Sequence, residues 1–209
     1  MGRFTRLATL SLALLAPAAD AYEVGHVSVT YQDPSRGNRS VGIELYYPAT
    51  VAGNGAPFAT PPPGGFPLVA FGHGFQMIVQ AYENVWTALA PAGYVVALPI
   101  TGGELFPNHG DFGADLSFVI EKMRAESANP ASFLHQKLSG RAAVMGHSMG
   151  GGASFLAADA NATIDALAVM APANTNPSSI TAAGGITVPT LIFSGTPRCV
   201  ASSSLPSLA

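Results

Sequence analysis

The stretch RAAVMGHSMGGGASFLAADA, residues 141–160, decides the fold. Residues 141–145 form a mainly apolar run, typical of a strand that is buried on both faces of a sheet. A run of small residues at 150–160 predicts a helix, and the pentapeptide Gly146-His-Ser-Met-Gly150 joins the strand to it. A strand, a G-x-S-x-G turn and a helix are the three parts of a nucleophile elbow. We therefore predict Ser148 as a nucleophile.

The chemistry of such a turn explains the spacing of its glycines. The turn is so tight that a side chain at Gly146 or Gly150 would collide with it, while the strained serine between them projects its hydroxyl above the sheet. Ser148 then lies at the N-terminus of the following helix, whose partial positive charge stabilises an oxyanion. The pentapeptide alone is weak evidence in a chain with 23 glycines, and the flanking strand and helix make it specific.

Strand and helix patterns alternate along the rest of the chain. Two β-rich segments flank a turn at residues 33–37 and predict an antiparallel pair. The predicted strands lie at residues 24–31, 40–47, 67–71, 94–98, 141–145, 164–170 and 188–193, and further helices at 79–89 and 112–123. This alternation predicts an α/β fold with a mostly parallel sheet and helices on both faces. In such sheets, ligands bind at the carboxyl ends of the strands.

A second strand end carries Gly72-His-Gly-Phe75, directly after the apolar segment 67–71. An oxyanion hole needs two backbone N–H groups aimed at the developing negative charge. One comes from the residue after the nucleophile, here Met149, and the other from a loop after an earlier strand. Gly72 and Gly74 let that loop fold back, so we predict the Phe75 N–H as the second donor. A plain glycine-rich turn is the alternative.

The motifs Phe71-Gly-His-Gly-Phe75 and Gly146-His-Ser-Met-Gly-Gly-Gly152 resemble those of one branch of the α/β-hydrolases. That branch holds the dienelactone hydrolases, chlorophyllases and cutinase-like polyester hydrolases, and the resemblance covers about residues 41–193. It implies an α/β-hydrolase fold and an ester hydrolase with a Ser–His–Asp triad. Ser148 would be the nucleophile, with Phe75 and Met149 as oxyanion donors. The triad Asp would follow the strand at 188–193, and the His would lie one strand later.

The C-terminal segment departs from that pattern. The family motif would place the Asp about where Arg198 stands; no His follows His147, and no Asp or Glu follows Asp165. We therefore expect a fold that is truncated at its C-terminus, with its last strand or strands missing and with impaired catalysis. His109, expected in the loop after the strand at 94–98, is the residue considered as a replacement base. The alternative is a non-catalytic or unstable hydrolase-like fragment that at most binds a ligand.

The N-terminus has the order of a secretory signal peptide. Arg3 and Arg6 precede an apolar stretch at residues 7–16, and the small-x-small sequence Ala19-Asp-Ala21 follows. The apolar stretch is too short to span a bilayer. We expect a signal peptide at 1–21, an incomplete α/β-hydrolase domain at 22–201 and an irregular tail at 202–209. The mature protein would be secreted or periplasmic, without an integral membrane segment.

Composition excludes several classes of function. Charged residues make up 10% of the chain and the net charge is −3 without a basic run, so we expect no nucleic-acid partner. One cysteine excludes a Cys-rich zinc site within the chain, and no phosphate loop or metal-spaced cluster is visible, so we expect no cofactor and no metal. The expected partner is an ester substrate.

The connection between the last two predicted strands bears on the size of that ester. Residues 172–189 are too few for an inserted cap domain, which favours an open cleft that accepts bulky or lipidic esters. Aromatic-polyester hydrolases often carry an aromatic residue shortly after the preceding strand. Ala173 and Asn174 stand there in this chain, which weakens the expectation of an aromatic polyester.

Overall fold

The computed structural model describes residues 21–194. Residues 1–20 of the expected signal peptide, position 198 and the expected tail at 202–209 lie outside these residues. The strands described are β1 (Glu23–Asp33), β2 (Arg39–Ala49), β3 (Gly53–Asn54), β4 (Phe66–Gly72), β5 (Val95–Pro99), β6 (Leu138–His147), β7 (Ala166–Met170) and β8 (Thr190–Phe193). The α-helices described are α1 (Glu83–Leu89), α2 (His109–Ala128), α3 (Met149–Ala160) and α4 (Ser179–Ala183).

The described strands form one sheet in the order β3-β1-β2-β5-β4-β6-β7-β8. β1 and β2 are an antiparallel hairpin, with Glu23 opposite Ala49 and Asp33 opposite Arg39. β2 is also antiparallel to β5, whereas every pair from β5 through β4, β6 and β7 to β8 is parallel. The mostly parallel α/β sheet predicted from the sequence is confirmed. Because the strands from β4 onward share one direction, their carboxyl ends meet at one edge.

Helices cover both faces of the sheet, and each face has its own hydrophobic core. One core packs β4 and β6 against α2 and α3 and includes Leu68, Leu116 and Val144. The other lies beneath the segment 79–89 and includes Phe71 and Trp86. Neighbouring residues of β4 serve different cores because successive side chains of a strand point to opposite faces. The short strand β4 is therefore held from both sides, which fixes the turn that follows it.

A buried carboxylate ties α2 to the β1–β2 hairpin. Asp115 is fully buried, and its oxygens lie 2.6 Å from Arg36 Nη2 and 2.8 Å from Arg39 Nη2. Arg39 Nε donates a further hydrogen bond to Asp115 at 2.9 Å. This hydrogen bonding raises the pKa of Arg39, although burial opposes it. The three side chains lock the orientation of α2, whose first residue is His109.

The observed elements differ from the predicted ones mainly at their ends. The helix predicted at 79–89 is a 3₁₀ turn, Val79–Tyr82, followed by α1, because Tyr82 leaves the helical region with φ −110° and ψ 24°. The strand predicted at 164–170 begins at Ala166. Gly72, predicted in a loop, is the last residue of β4.

The last strand described, β8, pairs with β7 and has no second neighbour among residues 21–194. Leu191, Ile192 and Phe193 are each slightly more than half exposed. An unpaired edge with apolar side chains pairs readily with another chain. In the part of the chain that the structure describes, no helix is both long and apolar enough to cross a membrane.

Candidate active site

Ser148 lies between the end of β6 and the start of α3, at the carboxyl edge of the sheet. Its φ of 52° and ψ of −117° are outside the regions that L-residues normally adopt, and such strain costs on the order of 1–3 kcal/mol. Two hydrogen bonds hold the conformation: the Ser148 N–H donates to Met170 O, and the Ala173 N–H donates to Ser148 O, both at 2.9 Å. The strained serine turn has the geometry expected of a nucleophile elbow.

The glycines around Ser148 are required by close backbone contacts. A Cβ on Gly146 would lie 2.3 Å from Gly150 O, and a Cβ on Gly150 would lie 2.1 Å from Gly72 O. A Cβ on Gly72 would in turn lie 3.0 Å from Gly150 Cα. The structure therefore brings together the two glycine motifs that are far apart in the sequence. The elbow and the end of β4 touch through their backbones.

Two backbone N–H groups near this contact have no acceptor among the described residues. Met149 is the first residue of α3, and the first N–H groups of a helix have no partner within it. Phe75 lies in the turn after β4, with its side chain about half exposed. Within residues 21–194, no acceptor receives the N–H of Met149 or of Phe75. Their availability supports the predicted oxyanion donors, whose role remains a prediction.

The hydroxyl of Tyr82 connects the β4 turn to the elbow. It accepts the Gly74 N–H at 2.6 Å, and it lies 2.9 Å from His147 Nδ1 and 3.0 Å from Met77 Sδ. Burial raises the pKa of this hydroxyl, so it stays protonated and can also donate. The sequence placed Tyr82 within the predicted helix at 79–89 and did not indicate this contact. The sequence signal for such a contact was the tyrosine itself, because a buried tyrosine hydroxyl usually has a hydrogen-bond partner.

Three histidines lie near the carboxyl edge of the sheet, and the ring of each contacts a group other than Ser148. His73 is buried, with its ring nitrogens 2.9 Å from Gly74 O and 2.8 Å from Thr101 O. His147 contacts Tyr82. His109, expected in a loop, is the first residue of α2, and its Nδ1 accepts the Asn176 N–H at 3.3 Å. Among the residues described, none of these rings is hydrogen-bonded to Ser148.

Among the residues described, no acidic side chain is hydrogen-bonded to Ser148 or to these three histidines either. Asp165, the last acidic residue of the chain, accepts the Ala142 N–H at 2.8 Å near the amino ends of β6 and β7. This is the opposite edge of the sheet from Ser148. Position 198, where the family motif would place the Asp, lies outside the described residues. Within residues 21–194, no group of three His, Cys, Asp or Glu side chains lies close enough together to hold a metal ion.

The comparisons with known proteins agree with this geometry. A family model described as PET hydrolase-like matches residues 16–208, which is almost the whole chain. No curated protein matched the chain. The mostly parallel sheet with helices on both faces and the strand–turn–helix around Ser148 fit the α/β-hydrolase fold that this match implies. The chain belongs to the PET hydrolase-like family of the α/β-hydrolase superfamily.

Proposed function

We propose that the chain is a serine-type carboxylic ester hydrolase, with Ser148 as the nucleophile. One observation carries the proposal: Ser148 is held at positive φ at the head of α3, and its turn contacts the end of β4. The N–H groups of Met149 and of Phe75, in the turn after β4, have no acceptor among the described residues. Membership of a PET hydrolase-like family supports an ester as the substrate. Nothing in this assignment requires a cofactor.

The proposed reaction proceeds through an acyl-serine. Ser148 Oγ attacks the ester carbonyl carbon, and the carbonyl oxygen becomes an oxyanion that accepts hydrogen bonds from the N–H groups of Phe75 and Met149. The C–O bond to the alcohol then breaks, and the hydroxyl proton leaves with the alcohol. Water attacks the acyl-serine in the second half, releases the carboxylic acid and restores the serine hydroxyl.

We further propose that the 209-residue polypeptide turns over slowly. A serine hydroxyl is a weak nucleophile without a base, and no described histidine is hydrogen-bonded to Ser148. In a serine protease, removal of the base lowers turnover by about 10⁶. An oxyanion hole together with substrate binding retains about 10³–10⁴ over the reaction in water. We therefore expect hydrolysis that is slow but measurable above buffer.

The test is hydrolysis of p-nitrophenyl esters of several chain lengths, together with fluorophosphonate labelling of the purified 209-residue protein. Ser148→Ala should remove both signals. Ser139→Ala, at the amino end of β6, is the matched control and should retain them. Hydrolysis that survives Ser148→Ala would reject the nucleophile. Fast hydrolysis that Ser148→Ala abolishes would show that a base has been missed, and His109→Ala would then identify or exclude that residue.

A non-catalytic, ligand-binding hydrolase-like protein is the second candidate. The absence of a base in contact with Ser148, within the described part of the chain, favours it. The same experiment separates the two candidates. If fluorophosphonate does not label Ser148 and an ester binds equally well to the Ser148→Ala variant, the protein binds esters without hydrolysing them.

The connection between β7 and β8 supports a substrate that is bulky or lipidic. Residues 171–189 contain only the five-residue helix α4, so no cap domain is inserted there. We propose an open cleft, for which several ester chain lengths should be accepted at similar rates. Strict selectivity for one small ester would contradict it.

We also propose that the protein is secreted or periplasmic. Residue 22 is already bound to the domain, because the Tyr22 N–H donates to Pro91 O at 3.1 Å. Cleavage of a signal peptide after residue 21 would leave this contact intact. Mass spectrometry of exported protein should find Tyr22 at or near the N-terminus. An exported form that retains Met1 would contradict the signal peptide.

A further inference from the structure

A cavity of about 520 Å³ lies at the amino edge of the parallel strands, the edge opposite Ser148. Its lining includes Val27, Tyr47, Pro57, Phe58, Phe133 and Lys137. Lys137 directly precedes β6, and Ser148 directly follows it. At about 3.3 Å per residue, this strand separates the two residues by roughly 30 Å. The cavity is therefore separate from the proposed catalytic centre.

Aromatic rings form much of the wall of this cavity. The rings of Tyr47 and Phe58 are stacked, with their centroids 3.9 Å apart and an angle of 15° between their planes. The ring of Phe133 lies 6.1 Å from that of Phe58 at an angle of 41°, and Phe133 is 44% exposed. The Tyr47 hydroxyl already donates to Ala56 O at 2.8 Å. The walls therefore offer flat apolar surface, which suits an aromatic ring.

The ammonium group of Lys137 brings a positive charge to these apolar walls. Its Nζ lies 6.0 Å from the centroid of the Phe58 ring, at the outer limit of a cation–π contact. Within residues 21–194, no carboxylate lies within 4.0 Å of this Nζ. No Asp or Glu side chain is part of the described lining. The ammonium group is thus available to an anionic ligand.

The chain has two lysines, and the other one shows which group Lys137 lacks. Lys122 Nζ lies 4.6 Å from the centroid of the Tyr31 ring and 2.6 Å from Glu126 Oε1. Both lysines lie against an aromatic ring, but among the described residues only Lys122 also has a carboxylate. A lysine ammonium carries three N–H donors. A carboxylate supplied by a ligand would therefore complete the same arrangement at Lys137.

We infer that this cavity binds an aromatic monocarboxylate, with its ring against Phe58 and Phe133 and its carboxylate accepting a hydrogen bond from Lys137 Nζ. The volume of about 520 Å³ is within the range of small-molecule sites, about 300–1,000 Å³. One cation in the described lining matches one carboxylate, and the apolar walls disfavour a second charge. This site does not require Ser148 or ester hydrolysis.

The test of the charge is a fluorescence titration of the 209-residue protein with 2-naphthoate and with the neutral 2-naphthamide. A hydrogen bond between two charged groups supports a preference of about tenfold for naphthoate at low ionic strength. Salt at about 1 M should reduce this preference, because it screens charges beyond about 3 Å. Lys137→Met should abolish the preference and Lys137→Arg should retain it. Lys122→Met, the matched control, should leave it unchanged.

Two phenylalanine variants test the location of the ring. Phe133→Ala removes part of the wall and should weaken naphthoate and naphthamide by a similar factor, about fivefold. Phe106→Ala is the matched control, because Phe106 is 89% exposed in the segment after β5 and is not part of the lining. It should bind both probes like the parent protein. Benzoate should displace naphthoate at lower concentrations than cyclohexanecarboxylate, which has no aromatic ring.

Several results would overturn the inference. They are no detectable binding of naphthoate, equal affinity for naphthoate and naphthamide, an unchanged preference in Lys137→Met, or equal losses in Phe133→Ala and Phe106→Ala. Equal displacement by benzoate and cyclohexanecarboxylate would refute the aromatic class of the ligand. Weaker binding of naphthoate to Ser148→Ala would place the probe at the catalytic centre instead. Unchanged binding in that variant is the expected result, and it would stand even if the proposed ester hydrolysis failed.

Discussion

Replacement of Gly150 by alanine tests the contact between the elbow and the end of β4. Gly150 is the second residue of α3, where alanine is intrinsically the better helix former by about 0.5–1 kcal/mol. If the helix alone decided the outcome, Gly150→Ala would stabilise the protein. The structure indicates the opposite, because the added methyl group points into the backbone of Gly72 and His73.

The size of the effect follows from three distances. The new Cβ of residue 150 would lie 2.1 Å from Gly72 O, 2.2 Å from Gly72 C and 2.5 Å from His73 O. Non-bonded heavy atoms prefer about 3.5–4.0 Å, so the two segments must separate by about 1 Å or more. Overpacking of this kind costs about 1–3 kcal/mol and occasionally more. Because the clash is with backbone atoms, we expect a cost near 3 kcal/mol, and subtraction of the helical gain leaves a net loss of about 2 kcal/mol in the free energy of unfolding.

Gly110→Ala is the matched control, because Gly110 is the second residue of α2. Its Cβ would lie 3.3 Å from Asn108 Oδ1 and 3.3 Å from Pro177 Cδ, side-chain atoms that can adjust. Urea unfolding followed by circular dichroism should show Gly110→Ala within about 1 kcal/mol of the parent protein. Fluorophosphonate labelling of folded Gly150→Ala should also slow, because the turn that carries Phe75, the proposed oxyanion donor, has moved. A Gly150→Ala protein as stable as the parent would refute the reasoning.

Three further predictions concern contacts outside the elbow. Asp115→Ala should lower the free energy of unfolding by about 3–5 kcal/mol in urea titration, because two arginines lose a buried partner. The pKa of Glu121 is lowered, chiefly by a hydrogen bond from Thr163. The ionised carboxylate therefore stabilises the fold above pH 4.5, and this stability is lost as the pH falls below that value. In Glu121→Gln, the free energy of unfolding should depend less on pH in the acidic range. Tyr82→Phe removes the acceptor of the Gly74 N–H. Hydrogen exchange of the Gly74 amide should accelerate, whereas exchange of the α2 amides should not change.

The fold was predictable where the sequence pattern is strong and local. β4 and β6 each contain a short apolar run close to glycine residues, and the Met149–Ala160 helix follows directly from the pentapeptide around Ser148. The β1–β2 hairpin was equally clear, because its turn residues interrupt two β-rich segments. These features depend on neighbours in the sequence. The observed strands and helices differ from the predicted ones mainly in their first and last residues, which depend on contacts with distant parts of the chain.

The tertiary contacts of the site could not be derived in the same way. Tyr82 and His147 are 65 positions apart, and Arg39 and Asp115 are 76 apart. Neither pair leaves a periodic signal, because only the polar ends of the side chains make the contact.

Ala173 supports the Ser148 turn through its backbone and not through its side chain. The Ala173 N–H donates to Ser148 O, and a Cβ on Gly152 would lie 2.3 Å from Ala173 O, so its backbone is fixed against the elbow and α3. Any residue except proline can supply that N–H. The side chain is therefore free to vary without loss of the strained serine. Alanine at this position offers no aromatic surface and leaves the backbone support of Ser148 intact.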